Sequence, residues 1–199
     1  VITDGGKFKW DIEKYPGMKD FKKFGPFAYT AKLRNGLFRN TGACLSPQNA
    51  FYNSIGMETF GLRMERVCDN AKTLAQFFAT EYSDIEVNYP GLAGSKWHNI
   101  ATEQFGDKFG GIITIRTGNK KRAFGIIDAL KLPLIVSNIG DTKTLVIHPE
   151  STLNVHSTQE EKETAGVFDD LIRISVGIED IDDLIDDFKQ AIESVKDVY

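Results

Sequence analysis

The sequence contains few of the residues from which disulfide scaffolds, metal clusters and membrane spans are built. Its 199 residues include two cysteines, three histidines and no Asn-x-Ser/Thr sequon. No apolar run reaches the roughly eighteen residues that a membrane-spanning helix needs. These absences exclude a disulfide-rich secreted scaffold and argue against a membrane partner, so a cytoplasmic location is the default expectation.

A strong overall charge is also lacking, although the charges are unevenly spread. The formal net charge is −4, which argues against nucleic acid as a partner. Residues 1–46 carry nine Lys or Arg and four Asp or Glu, whereas residues 160–199 carry four and thirteen. We expect the acidic end to be the solvated face of a helix.

Common catalytic signatures are absent as well, since the chain has no Walker loop, GxSxG or HExxH, and no GxGxxG after a strand. His148 and His156 are eight residues apart with Glu150 between them, a set that could in principle bind a metal. We favour no metal site, because His148 falls in a predicted strand and His156 in a loop. Cys68 is predicted to be a small core residue. Cys44 has no histidine near it in sequence and is a poor candidate for a nucleophile.

What the sequence does contain is an alternation of helical and extended patterns. Apolar alternation predicts strands at residues 85–88, 111–117, 132–136, 145–148 and 171–176. Helices are predicted at residues 96–105, at residues 120–130, from Ser157 and from about residue 179. This order is typical of an α/β sandwich in which helices cover one face of a sheet.

The last helix has a two-sided pattern. Its apolar side chains would face a core: Ile181, Leu184, Ile185, Phe188, Ile192 and Val195. Its aspartates would face solvent: Asp182, Asp183, Asp186 and Asp187.

A longer helix precedes these elements. Ser46 and Pro47 are typical of a helix start. Apolar residues then recur every three to five positions, at Phe51, Ile55, Phe60, Met64, Val67, Ala71, Leu74 and Phe78. We expect one helix over residues 47–80 with this stripe buried, a kink near Gly56 and Gly61, and a domain at each end. Residues 15–45 are interrupted by glycine and proline and predict short elements joined by turns.

Arg173 is the strongest candidate for a functional side chain. In the strand LIRISVGI, alternation places Ile172 and Ile174 on one face and Arg173 with Ser175 on the other. A guanidinium on a rigid strand can bind a carboxylate through two parallel hydrogen bonds. A merely exposed strand arginine has the same spacing, so both interpretations stay open.

A second candidate is the pair Ser137-Asn138. It follows the apolar run LPLIV, which we expect to be a buried strand. Ligand sites in α/β folds favour such strand ends, and so do ordinary turns.

Several segments together resemble one enzyme family. The runs SNIGDTKTLVIHPEST and LIRISVGIED, with VITDGGKFKW, LSPQNAFYNSIGMETFGLRMERVCDNA and VNYPGL upstream, are similar to the Cys/Met-metabolism pyridoxal-phosphate enzymes, most specifically the O-acetylhomoserine sulfhydrylases. The resemblance implies the C-terminal portion of an aspartate aminotransferase-like, fold type I enzyme. Residues 1–46 would end the large cofactor-binding domain, residues 47–80 would form the connecting helix, and residues 81–199 the small α/β domain.

The same resemblance implies where the cofactor is held. The chain opens at Val1 with a predicted hairpin over residues 1–10, and in the family the lysine that forms the Schiff base lies just upstream of such a hairpin. We therefore expect this chain to be part of a longer protein whose preceding half binds most of the pyridoxal 5′-phosphate. Without that lysine the chain alone is expected to be inactive, and no catalytic or cofactor-binding residue is assigned within it.

Substrate contacts are implied at three positions. Arg173 matches the family arginine that binds the substrate α-carboxylate. Asn138 falls where related lyases place a serine near that carboxylate, and Ser137 precedes it in a Ser-Asn pair that is common in the sulfhydrylases. After the HPEST segment the family often has Thr-His where this chain has Leu153 and Asn154, so any contact made there by the threonine would be lost.

The activity implied is replacement of the acetate of O-acetylhomoserine by sulfide or a thiol, giving homocysteine or methionine, in a homotetramer or homodimer. Two alternatives remain. One is a sister activity, cystathionine γ-synthase or methionine γ-lyase. The other is a detached, non-catalytic assembly domain, which the basic start and acidic end of the chain would suit.

Overall fold

The computed structural model describes residues 5–196. Contacts divide the chain after Ile55 into two compact units, residues 1–55 and 56–199. The first strand of the hairpin predicted over residues 1–10 lies outside the described residues, and residues 5–10 form no strand.

The first unit consists of short helical turns. A 3-10 helix spans Pro16–Phe27, followed by α1 Ala28–Leu33, a π-helical turn Arg34–Phe38 and α2 Arg39–Thr41. Gly42 ends this run at φ +61°, a left-handed conformation that favours glycine. The short elements agree with the prediction made from the glycines and prolines.

Two helices stand where the sequence predicts one over residues 47–80. α3 spans Pro47–Glu58 and α4 spans Phe60–Glu81. Thr59, between them, has φ −104° and ψ 6°. The break falls between Gly56 and Gly61, the position at which the sequence predicts a kink.

The predicted apolar stripe is buried over its second half. Val67, Ala71, Leu74 and Phe78 of α4 are at most 5% exposed, whereas α3 has no buried residue. The expectation of a buried stripe is therefore wrong from residue 51 to residue 60. Periodicity identifies the apolar face of a helix, but it does not reveal what packs against that face.

A five-stranded mixed sheet organises the second unit within its described residues. Its strands are β1 Glu86–Asn88, β2 Ile112–Arg116, β3 Leu134–Ile135, β4 Leu145–Ile147 and β5 Leu171–Ser175. Their spatial order is β1-β2-β5-β4-β3. The β3–β4 pair is parallel and the other three pairs are antiparallel. Strand β5 is therefore central and hydrogen-bonded on both sides.

Helices cover one face of this sheet. The helices that form the core with the sheet are α4, α6 Lys120–Ala129 and α8 Ile181–Ser194. Two shorter helices of this unit are α5 His98–Phe105 and α7 Gln159–Thr164. Side chains of the sheet and helices meet in one cluster that includes Leu74, Phe78, Ile113, Ile115, Val146, Ile172, Ile174, Leu184 and Phe188. This arrangement confirms the predicted α/β sandwich. Among the described residues, no helix has both the length and the apolar character needed to cross a membrane.

Two local expectations are wrong. The strand predicted over residues 132–136 is reduced to β3, an edge strand whose residues Leu134 and Ile135 are 44% and 61% exposed. Asp187, expected to face solvent, is 6% exposed and accepts hydrogen bonds from backbone amides. The other strands and helices predicted after residue 84 are present with ends shifted by one or two residues.

Candidate carboxylate-binding site

Arg173 lies at the middle of the central strand. It is in register with Thr114 of β2 and with Ile147 of β4. Its chain neighbours Ile172 and Ile174 are fully buried on the helix-covered face, and Arg173 itself is half-buried on the opposite face. The alternation predicted from LIRISVGI is therefore confirmed, and ladder hydrogen bonds on both sides fix the backbone that carries the guanidinium.

The segment that carries Ser137 and Asn138 passes over this arginine. Arg173 Nη2 donates a hydrogen bond of 3.4 Å to the carbonyl oxygen of Asn138. Two residues further along the segment and along β5, the Gly140 N–H donates to Ser175 Oγ at 3.4 Å. The structure thus brings Asn138 to Arg173, while Ser137 is exposed beside it with no hydrogen bond to Arg173 among those formed by the described residues.

This arrangement leaves hydrogen-bonding capacity for a ligand. Asn138 Oδ1 accepts from the Ile139 N–H at 2.8 Å. The two N–H donors of its Nδ2 group take no part in that hydrogen bond. Arg173 has five N–H donors, and within residues 5–196 no carboxylate forms an ion pair with it. A positive, planar group with several free donors beside an amide is suited to a carboxylate.

A groove on the same face begins one strand away. Thr114, the β2 partner of Arg173, accepts a hydrogen bond of 3.3 Å from Asn88 Nδ2. Both residues line a cavity of about 840 Å³ together with Trp97 and Arg116. Arg173, Thr114 and Asn88 therefore form a polar row that leads from the central strand to this groove.

His148 stabilises the turn after β4 through both nitrogens of its ring. It is 3% exposed. Its Nε2 lies 2.8 Å from the Asp169 carbonyl oxygen, and its Nδ1 lies 3.2 Å from the Ser151 backbone nitrogen. A carbonyl can only accept and an amide N–H can only donate, so these partners select the neutral tautomer with hydrogen on Nε2.

The two positions that depart from the family pattern take part in the same turn. Leu153 is 51% exposed. The Asn154 N–H donates to the Pro149 carbonyl at 3.0 Å, and its side chain lies 3.5 Å from Ser157 Oγ. Asn154 therefore stabilises the turn locally.

Glu150 joins this turn to two helices. Its carboxylate accepts hydrogen bonds from Lys120 Nζ of α6 at 2.8 Å and from Lys162 Nζ of α7 at 2.5 Å. These two ammonium groups, Lys120 first, lower the pKa of Glu150 from 4.5 to about 2. The carboxylate is therefore held ionised and is a structural link.

The two cysteines differ in burial, and Cys68 is buried as the sequence predicts. Cys68 is 5% exposed, and it lies beside an apolar groove formed with Met64, Phe105 and Phe109. Cys44 is an exposed free thiol.

Comparison with known proteins decides the family. Residues 13–193 match the family described as Cys/Met metabolism PLP-dependent enzyme. The chain belongs to this family. It is 37% identical to the O-acetyl-L-homoserine sulfhydrylase of Corynebacterium glutamicum over 98% of this chain and 48% of that protein. It is 41% identical to the L-methionine gamma-lyase of Fusobacterium nucleatum over 80% of this chain and 40% of that protein.

A solved structure gives the same result at the level of the fold. An O-acetylhomoserine (thiol)-lyase from Campylobacter jejuni, which carries a pyridoxyl-lysine phosphate, superposes with a TM-score of 0.77 at 38% identity. The superposition covers 83% of this chain and 39% of that one. The predicted family and fold class are thus confirmed. The chain spans about half the length of the curated relatives it matches.

A half-buried guanidinium beside an asparagine has the hydrogen-bond donors that a carboxylate requires. For the cofactor itself we assign no residue of this chain.

Proposed function

We propose that this chain serves in a pyridoxal-phosphate-dependent O-acetylhomoserine sulfhydrylase. In this reaction sulfide or a thiol forms a bond to Cγ of O-acetylhomoserine, the Cγ–O bond breaks and acetate leaves, giving homocysteine or methionine. Family membership supports the reaction class, and the sulfhydrylase and thiol-lyase relatives support the substrate. The observation that carries the proposal is the half-buried Arg173 at the centre of the sheet, with Asn138 beside it.

Arg173 would bind the α-carboxylate of the amino-acid substrate. Because β5 is paired on both sides, the guanidinium can orient the substrate without rearranging the backbone. Two N–H groups of Arg173 would grip the two carboxylate oxygens, and Asn138 Nδ2 would donate to one of them. This contact fixes the direction of the Cα–H bond, which lowers the entropic part of the barrier. Pyridoxal phosphate, when bound, supplies the electron sink that weakens bonds at the amino-acid Cα.

The activity of methionine γ-lyase is the second candidate, because the lyase relative is 41% identical to this chain over the 161 residues that it matches. The two reactions use the same carboxylate contact, so Arg173 does not distinguish them. A direct assay does. The full-length enzyme is supplied with O-acetylhomoserine and sulfide in one vessel and with methionine alone in another. Homocysteine formation without methionine breakdown supports the sulfhydrylase, and methanethiol release from methionine contradicts it.

The domain assignment, assembly and location belong to the same proposal. We propose that residues 1–46 end a large domain, that residues 47–80 connect it to a small domain at residues 81–199, and that the enzyme is a cytoplasmic homodimer or homotetramer. Many large apolar side chains of α3 and of the first residues of α4 are exposed, among them Phe51, Tyr52, Met57, Phe60 and Leu62, and such patches are typical of interfaces. Sedimentation of the purified enzyme tests the assembly, and a monomer would contradict it.

A further inference from the structure

The segment between α6 and β4, residues 130–144, carries the two predicted substrate contacts and is fastened at its base by a buried carboxylate. Asp187 of α8 is 6% exposed. Its Oδ2 accepts from the backbone N–H groups of Lys131 and Leu132, each at 2.9 Å. Its Oδ1 accepts from Gln190 Nε2 at 3.0 Å. Hydrogen bonds to an ionised acceptor are stronger than those between neutral groups, and leaving one unmade in a buried place is costly.

Gln190 completes this anchor. The same Nε2 group donates to the Ala129 carbonyl at 2.8 Å, so one helix of the core holds both the last residue of α6 and the first residues after it. The direction in which the segment leaves α6 is therefore set by α8.

Between residues 135 and 141 the segment has few firm contacts. Its far end is held as well, because the Ile178 N–H donates to the Thr142 carbonyl at 2.9 Å and Thr144 Oγ1 donates to Glu179 Oε2 at 2.9 Å. The Leu134 N–H donates to the Thr144 carbonyl at 2.9 Å, and β3 pairs with β4 through two residues. All residues from 134 to 140 are exposed. The two hydrogen bonds that place the segment against β5, from Arg173 to Asn138 and from Gly140 to Ser175, are both 3.4 Å long. Contacts at that length are weak, so the position of Asn138 depends on the anchors at the two ends of the segment, and Asp187 provides the first of them.

We propose that Asp187 is a positioning residue for the carboxylate site: it anchors residues 131 and 132, and thereby holds Asn138 beside Arg173. The inference rests on the proposed role of Arg173 in binding a substrate carboxylate. Asp187 does not touch the substrate and acts through the segment.

Helix α8 offers a matched control. Asp186 is the neighbouring aspartate and is exposed, so Asp186→Asn makes the same change in charge without touching the anchor. Asp187→Asn keeps the shape of the side chain but replaces one acceptor oxygen by an N–H donor, which opposes the donors of Lys131, Leu132 or Gln190.

The experiment measures amide hydrogen exchange and steady-state kinetics on the full-length enzyme. With Asp187→Asn we expect exchange at Leu132 and at Leu134 to accelerate by about tenfold or more, as local opening becomes easier. We expect the KM for O-acetylhomoserine to rise by about tenfold with kcat changed less than about twofold, since ground-state and transition-state binding are lost together. Asp186→Asn should leave all four quantities unchanged.

Other outcomes overturn the inference. Faster exchange at Leu132 with unchanged exchange at Leu134 would make Asp187 a local cap, and unchanged KM with faster exchange at both amides would separate the segment from substrate binding. If Asp187→Asn does not fold, Asp187→Glu retains the charge and shifts the carboxylate by one methylene, and it must then raise KM in the same way. Exchange is measured without substrate, so the anchoring of the segment is judged even if Arg173 proves not to bind the carboxylate.

Discussion

Arg173 and Asn138 are 35 residues apart in the chain, yet Arg173 Nη2 donates to the Asn138 carbonyl oxygen at 3.4 Å. The arginine belongs to the central strand, and the asparagine belongs to an exposed segment that reaches it from the edge of the sheet. A rigid cation and an adaptable amide are thus combined in one small site. Such a pair is suited to a substrate whose carboxylate must be held in one place.

We expect Arg173→Ala to impair the full-length enzyme severely. Loss of a two-pronged, charge-assisted contact should cost about 2 to 5 kcal/mol of transition-state binding, or roughly thirty- to several thousand-fold in kcat/KM. Arg173→Lys should restore part of this loss, because one ammonium cannot reproduce the planar fork. Steady-state kinetics of both variants beside their melting temperatures provide the measurement. Kinetics within threefold of the parent enzyme would exclude the carboxylate role.

Glu150→Gln should destabilise the protein in a pH-dependent way. Because the pKa of Glu150 is lowered from 4.5 to about 2 in the folded protein, its stabilising effect is complete above about pH 4.5 and is lost as the pH falls towards 2. Melting temperatures of parent and variant should therefore differ at pH 7 and converge on acidification. The difference at pH 7 should correspond to on the order of 1 kcal/mol, since Lys120 is partly exposed to water. Glu103→Gln on the surface of α5 is the control, and a gap as large at pH 3 as at pH 7 would contradict the ion-pair explanation.

Helix α4 offers two leucines that test where the core begins. Leu74 is fully buried and Leu62 is 71% exposed. Leu74→Ala should lower the free energy of unfolding by about 2 to 5 kcal/mol, whereas Leu62→Ala should change it by about 0.5 kcal/mol or less. Chemical denaturation of both variants measures the difference. Equal losses would mean that the first part of α4 is covered in solution.

The 199 residues, expressed alone, should show no sulfhydrylase turnover. The family resemblance places the Schiff-base lysine upstream of residue 1, and without it the cofactor has neither its covalent tether nor its usual proton carrier. The assay is homocysteine formation from O-acetylhomoserine and sulfide with added pyridoxal phosphate. Turnover by the isolated chain would refute this expectation.

The local order of the fold was available from the sequence, because strand and helix periodicities depend on near neighbours. LIRISVGI alternates with a period of two, so the faces of Ile172, Arg173 and Ile174 could be assigned without knowing which strands flank them. The segments resembling the family likewise identified Arg173 as the candidate contact for a carboxylate.

Burial, by contrast, was decided by tertiary structure. Asp187 shares a helical face with Leu184, Phe188 and Ala191, at the three- and four-residue spacing of the core positions. Its negative charge led to the prediction that it faces solvent. Its burial is favourable because the backbone amides that follow α6 donate hydrogen bonds to it. In the same way, the apolar stripe from residue 51 to residue 60 is real as a pattern but is uncovered. The pairing of Arg173 with Asn138 depends on the path of a segment across a sheet, and periodicity carries no information about contacts between distant parts of a chain.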